Sequence, residues 1–215
     1  MFNVKRFMCN PLQENCYVVS DESGQCVIID CGAFYEEEHD AIGTYIRQQQ
    51  LTPVHLLATH GHLDHNFGND TVYRQYGLAV EICAEDQCLV ESLQEQAASL
   101  FGIRIADTQA PTGRLLTDGD VVTFGHHALQ VLLTPGHTHG SCLFYCPEEH
   151  TVFTGDTLFR MSIGRTDFAE GSWPEMERSL RTVVRPLPHD TIIHSGHGPQ
   201  STMADELHFN PYLRT

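Results

Sequence analysis

Short apolar runs divided by polar or Gly-containing turns open the chain, and they predict three strands: Val4 to Met8, Asn15 to Ser20 and Gln25 to Asp30. Consecutive strands with so little chain between them form an antiparallel meander. The period then changes. Ala41, Ile42, Tyr45 and Ile46 recur at helical spacing, so Tyr35 to Gln50 reads as a helix, with Glu36, Glu37 and Glu38 placed where its dipole favours acidic charge. A buried strand over Val54 to Thr59, a helix over Asn66 to Tyr76 stopped by Gly77, and a strand near Leu78 to Cys83 follow.

Leu89, Leu93, Ala97 and Leu100 fall on one side of a second long helix, Glu85 to Leu100, whose apolar face reads as core packing. Phe101 to Asp118 is irregular, contains Pro and Gly, and reads as a loop over one mouth of a site. Strands return at Asp120 to Phe124, Ala128 to Leu133, Ser141 to Cys146 and Thr151 to Thr154. A helix (Glu175 to Val184), a strand (Thr191 to His194) and a short helix (Thr202 to His208) complete the chain. Each half begins with a meander and ends in helix-covered strands. That order predicts an α/β sandwich of two sheets with helices on both outer faces. At 215 residues, without an internal repeat, low-complexity tract or linker, the chain reads as a single domain spanning 1–215.

Charge narrows the choice of partner. The formal net charge is -16, from 28 acidic against 12 basic residues, which argues against nucleic acid or an anionic membrane surface and leaves a small-molecule substrate. No apolar run approaches the ~20 residues that span a bilayer, and Met1 to Met8 lacks the apolar region of a signal peptide, so the cytoplasm is the expected compartment. The 8 cysteines form no Cys-x-x-Cys pair. Cys16, Cys26, Cys142 and Cys146 lie in apolar runs and read as core, while the pattern leaves Cys9, Cys31, Cys83 and Cys88 undecided.

The chemistry concentrates in Ala58-Thr59-His60-Gly61-His62-Leu63-Asp64-His65, a strand-to-helix turn. In an extended stub His60 and His62 share a face, and Asp64 and His65 open the next element toward the same hollow. Imidazole and carboxylate are ligands for zinc or iron, and the absence of cysteine favours an open catalytic site over a closed thiolate one. A solvated or adventitiously metal-binding histidine tract is the bland alternative. Three more segments weigh against it: His137 in Thr134-Pro135-Gly136-His137-Thr138, Asp156 in Thr154-Gly155-Asp156-Thr157, and His197 in His194-Ser195-Gly196-His197-Gly198-Pro199. Each stands where a strand gives way to a Gly- or Pro-marked turn.

Thr-His-Gly-His-Leu-Asp-His at 59–65, with Pro-Gly-His-Thr, Thr-Gly-Asp-Thr and Gly-His-Gly-Pro in that order, resembles the metallo-β-lactamase fold superfamily over nearly the whole chain. The resemblance implies a four-layer αββα sandwich with two divalent metal ions at one edge, zinc being the expected metal and iron or manganese the alternatives. It allots His60, His62 and His137 to one ion and Asp64, His65 and His197 to the other, with Asp156 bridging.

Gly155-Asp156-Thr157-Leu158-Phe159 and Gly164-Arg165-Thr166-Asp167-Phe168 are similar to the glyoxalase II group, and the short chain to its compact bacterial members. The implied reaction is hydrolysis of an acyl thioester, such as a hydroxyacyl-glutathione, by a metal-bridging hydroxide, with Asp64 a candidate to orient the hydroxide as well as bind metal. Glyoxalase II proper carries a basic residue and a tyrosine after that glycine, and a helical extension with basic glutathione-binding residues. Here Thr166, Asp167 and Phe168 supply no tyrosine and the chain has no such extension, so the resemblance does not carry glutathione over as the thiol carrier.

Arg165 is a candidate for receiving an anionic substrate tail, with an ion pair to Asp167 the structural alternative. Phe159 is a candidate pocket wall, and Tyr145 reads as strand core. Asp30, at a strand end, is a candidate acceptor for a ligand imidazole. The other histidines read as surface or core, His139 and His194 being nearest in sequence to the ligands. The alternative function is a persulfide dioxygenase on the same fold, with one iron held by His60, His137 and Asp156. A metal-buffering or scaffold role fits poorly, because the candidate ligands stand at an open edge.

Overall fold

A computed structural model describes residues 2–105 and 110–214. Strands β1 (Asn3–Cys9), β2 (Glu14–Ser20), β3 (Gln25–Ile29), β4 (Thr52–Leu57), β5 (Val80–Cys83) and β6 (Thr112–Leu116) form the first sheet in that spatial order. The first three are antiparallel, as the predicted meander requires, and β3 through β6 are parallel. The second sheet contains β7 (Val121–Phe124), β8 (His127–Leu133), β9 (Cys142–Cys146) and β10 (Thr151–Gly155). A separate small hairpin of β11 (Leu158–Phe159) and β12 (Ser162–Ile163) intervenes before β13 (Ile192–Ser195) and β14 (Ser201–Thr202) complete the second sheet. Its order is β14-β13-β10-β9-β8-β7, with β10 and β13 parallel.

The layers follow from the two-residue period of the strands. In β2 and β3, Cys16, Val18, Cys26 and Ile28 face helices α1 (Glu36–Gln48) and α2 (Asn69–Tyr76), whereas Tyr17, Val19, Val27 and Ile29 face the other sheet. In β9 and β10, Phe144 and Phe153 point between the sheets. Leu143 and Val152 point outward to Met176 and Met203 of helices α5 (Trp173–Ser179) and α6 (Met203–Phe209). Strands covered on both faces read as near-continuous apolar runs, which is why CLFYC and QCVII lack alternation. Two six-stranded sheets with helices outside both make the expected αββα sandwich. Burying Phe144 or Phe153 contributes about 1.5–3 kcal/mol each by area.

Several boundaries differ from the sequence reading. The long helix expected over Glu85 to Leu100 is interrupted: α3 (Gln87–Glu91) and α4 (Leu93–Gln96) are separate, and a π-turn covers Ala97–Phe101. Ser92 breaks it, its hydroxyl donating to the Leu89 carbonyl in competition with the helix ladder. The π-turn leads to Gly102 at a φ of 64°. The stretch expected as loop holds β6, where Gly113 passes so close to Ala79 that a Cβ would stand 2.9 Å from its carbonyl oxygen. Part of that stretch, 106–109, lies outside the described residues. Helix α2 begins at Asn69 rather than Asn66, because a 3-10 turn over Leu63–His65 precedes it.

Of the cysteines left open, Cys9, Cys31 and Cys83 are buried and Cys88 is exposed; all eight are free. No helix among the described residues is long and apolar enough to cross a membrane.

Candidate metal centre

Strand direction builds the site. Because β8, β10 and β13 run the same way, the turns after them, carrying His137, Asp156 and His197, open at one edge. The turn after β4 carries His60 to His65 to that edge from the other sheet. There the donor atoms of His60, His62 and His137 lie within 4.8 Å of one another, as do those of Asp64, His65 and His197. Asp156 faces both groups, with Oδ2 3.5 Å from His137 Nε2 and Oδ1 3.4 Å from His65 Nε2. All seven expected residues converge.

Hydrogen bonds behind the rings fix which nitrogen points inward. A neutral imidazole carries one N–H, so the partner on one side leaves a lone pair on the other. His60 Nδ1 lies 3.1 Å from the Thr59 hydroxyl, His137 Nδ1 2.8 Å from the Arg165 carbonyl, and His197 Nδ1 3.1 Å from the Leu12 carbonyl. His65 Nδ1 lies 3.1 Å from Asp30 Oδ2, and His62 Nε2 2.8 Å from Glu170 Oε1. The tautomers assigned from these partners leave five lone pairs aimed at one hollow. Asp30, adopting a φ of 53°, also accepts from the Thr59 amide and hydroxyl, both at 2.7 Å, and so anchors the turn where the histidines begin.

Electrostatics agree with a cation-binding role. Burial and the neighbouring imidazoles hold His60 well below the ordinary histidine range, and burial lowers His137, so both are neutral donors. Burial opposes charge on His65 and His197, yet the carboxylates of Asp64 and Asp156 outweigh it and raise both. Asp64 and Asp156 are held low despite burial, first by His65. The carboxylates thus draw positive charge into the hollow. His60 Nε2 and Asp156 Oδ1 are buried without a hydrogen-bond partner among the described residues, and a buried polar atom left so is costly. Two orphaned acceptors inside a converging nitrogen and oxygen set fit divalent metal.

Three carboxylates at the site escape sequence reasoning. Asp86, buried at the start of α3, accepts from the Gly61 amide at 2.8 Å, the Thr138 hydroxyl at 2.6 Å and the Gly140 amide at 2.6 Å, tying two ligand-bearing turns together. Glu170 bonds His62 from a segment that crosses the mouth; although burial opposes it, that bond keeps its pKa below the usual range. Glu14 is fully buried 3.9 Å from His65 Nδ1, and burial raises its pKa strongly against the pull of His65. Each looks like an ordinary surface charge in the sequence; only contacts across the chain give it a role.

Above the hollow lies a cleft of about 780 Å³ lined by apolar side chains, among them Leu89, Leu100, Phe101, Phe159 and Ile163, with Arg165 and Glu170 at its side. Phe159 therefore stands where a wall was expected. Arg165 reaches the cleft, but its guanidinium is bidentate to Asp167 at 2.6 and 2.7 Å and stacks over Phe168 at 4.2 Å. Tyr145 is core. His139 lies near Glu175, and His194 is buried between Tyr17 and Phe153; neither belongs to the cluster.

The family model of the metallo-beta-lactamase superfamily matches residues 9–197. A hydroxyacylglutathione hydrolase, GloC, of Haemophilus influenzae is 34% identical over 99% of this chain and 99% of its own. The crystal structure of the BLEG-1 B3 metallo-beta-lactamase superposes with a TM-score of 0.90 at 34% identity, covering 99% of this chain and 100% of that one. TTHA1623, solved in a di-iron-bound form, gives 0.85 at 35% identity over 97% and 100%. The chain belongs to the metallo-beta-lactamase superfamily.

Proposed function

We propose that this member of the superfamily is a thioester hydrolase that works with two divalent ions. The observation that carries the reading is the convergence of five imidazole lone pairs and two carboxylates on the floor of an apolar cleft. His60, His62 and His137 would hold one ion, Asp64, His65 and His197 the other, with Asp156 between them. Such a pair, when bound, ionises water near neutral pH and polarises a carbonyl. With His197 at 3.3 Å from its Oδ2, Asp64 keeps Oδ1 to accept a hydrogen from the attacking water and set its direction.

The remaining steps belong to the chain's own groups. Leu89, Leu100, Phe101, Phe159 and Ile163 surround the acyl chain and exclude bulk water, which strengthens the electrostatics beneath. A thiolate leaves without needing a strong acid, so the absence of a lysine or tyrosine from the cleft lining among the described residues is no obstacle to this reaction. Zinc, iron and manganese all suit the nitrogen and oxygen donors. In a mononuclear iron dioxygenase His60, His137 and Asp156 would be the ligands and the other four bystanders; likeness over 99% of the chain to a hydroxyacylglutathione hydrolase supports the hydrolytic reading instead.

Metal analysis of purified protein, with parallel assays of thioester hydrolysis, chromogenic cephalosporin hydrolysis and persulfide-dependent oxygen uptake, tests the reading. Two ions per chain with thiol release is the expected result. One iron per chain with sulfur-dependent oxygen uptake would overturn it, as would turnover of the cephalosporin alone.

A further inference from the structure

We infer that Glu170 is a positioning residue for His62, and that the segment 164–171 is a strap that holds two of the three ligands proposed for one ion. The inference rests on the proposed reading of His60, His62 and His137 as ligands. Three separate contacts bind the strap to the rings. Its Arg165 carbonyl accepts from His137 Nδ1 at 2.8 Å, Glu170 Oε1 accepts from His62 Nε2 at 2.8 Å, and the Phe168 ring packs edge-on against His62 with centroids 5.1 Å apart. Gly164 lets the strap lie this close, since a Cβ there would stand 1.9 Å from the Asp156 carbonyl oxygen.

Directionality makes the Glu170 contact more than a surface pair. His62 Nδ1 stands 2.9 Å from His137 Nε2, the two atoms facing the hollow together, so Nε2 must carry the proton if Nδ1 is to donate its lone pair. Glu170 is the acceptor that fixes this tautomer. The other four inward-facing imidazoles draw their outer partners from Thr59, Asp30 and the Leu12 and Arg165 carbonyls. His62 depends on a side chain 108 residues away. A carboxylate acceptor also increases the basicity of the ring it holds, beyond what a carbonyl does. The side chains of His62 and Glu170 are 10% and 24% exposed, so solvent screens this pair less than an ordinary surface one.

Zinc affinity, read by competition with a chromogenic chelator, is the test, accompanied by the ligand-field spectrum of the cobalt-loaded protein and by thermal unfolding of the chelator-treated protein. Glu170→Ala should weaken binding of one of two zinc ions roughly 10–100-fold. It should also change the cobalt spectrum, with the fold of the metal-free protein intact. Glu170→Gln keeps an acceptor and should stay within about 5-fold of the parent. Asp190→Ala, which removes an exposed carboxylate paired with His150 far from the cleft, should change neither reading.

Unchanged zinc affinity in Glu170→Ala would overturn the inference. So would Glu170→Gln binding as weakly as Glu170→Ala, because net charge rather than hydrogen bonding would then explain the loss. A parent protein that binds zinc but cleaves no thioester would sink the proposed function and leave the role of Glu170 standing.

Discussion

Asp86 and Thr138 are 52 residues apart in sequence, yet the Thr138 hydroxyl donates to Asp86 Oδ2 at 2.6 Å. The same carboxylate holds the amides of Gly61 and Gly140. One buried side chain therefore sets the spacing between the turn bearing His60 and His62 and the turn bearing His137. Asp86→Ala would leave the two buried amides unsatisfied and the Thr138 hydroxyl with Ser141 alone. The expected cost is about 3 kcal/mol, a fall in Tm of roughly 6–12 °C in the chelator-treated protein. Zinc affinity should fall with it; thermal scans and chelator competition on one sample check both.

His65 tests the second ion. Its Nε2 faces Asp64, Asp156 and His197, while its Nδ1 is held by Asp30. His65→Ala should reduce bound metal from two ions to one and thioester turnover by on the order of 10³-fold, several kcal/mol of lost transition-state stabilisation. Elemental analysis beside steady-state kinetics makes the measurement. Two retained ions with parental turnover would contradict the allocation.

Arg165 and Asp167 give a specificity prediction. Because the guanidinium is bidentate to Asp167, Arg165→Ala should raise KM for an anionic thioester less than about 3-fold, and so exposed a pair should leave Tm nearly unchanged. Asp167→Ala, in contrast, frees the guanidinium toward the cleft and should lower KM for the same anionic substrate while leaving a neutral thioester unaffected. A large KM increase in Arg165→Ala would show that the arginine leaves Asp167 for substrate.

His194 predicts a pH dependence away from the metal. Burial, assisted by the charge of Arg6, lowers its pKa from 6.5 to about 4. Between those values the unfolded chain binds a proton that the folded one refuses, so stability falls as pH drops from about 6.5 to about 4. The contribution is at most about 3 kcal/mol. Chelator-treated His194→Phe should lose that part of the acid slope, measured as ΔG of urea unfolding at a series of pH values. The ring's stacking position between Tyr17 and Phe153 suits the aromatic replacement.

The two-sheet sandwich was legible because its strands carry period-two or fully apolar patterns, and the helices over sheet 1 and sheet 2 carry period-3.6 ones. β6 was not, since Thr-Gly-Arg-Leu-Leu has neither pattern and pairs by virtue of Gly113's close approach to Ala79. The break at Ser92 was equally hidden, because it depends on one hydroxyl choosing the Leu89 carbonyl.

Sequence alone determined where the donor atoms are carried: His60, His62, Asp64, His65, His137, Asp156 and His197 each follow a strand or open a turn, and strand ends are local facts of composition and punctuation. Tertiary structure decided which nitrogen each ring presents. That choice is made by Thr59, Asp30, Glu170 and the Leu12 and Arg165 carbonyls, groups brought up mainly from other parts of the chain. An imidazole can donate from one side only when something accepts on the other, and for every ring but His60, whose acceptor is the adjacent Thr59, folding brings that acceptor from elsewhere in the chain.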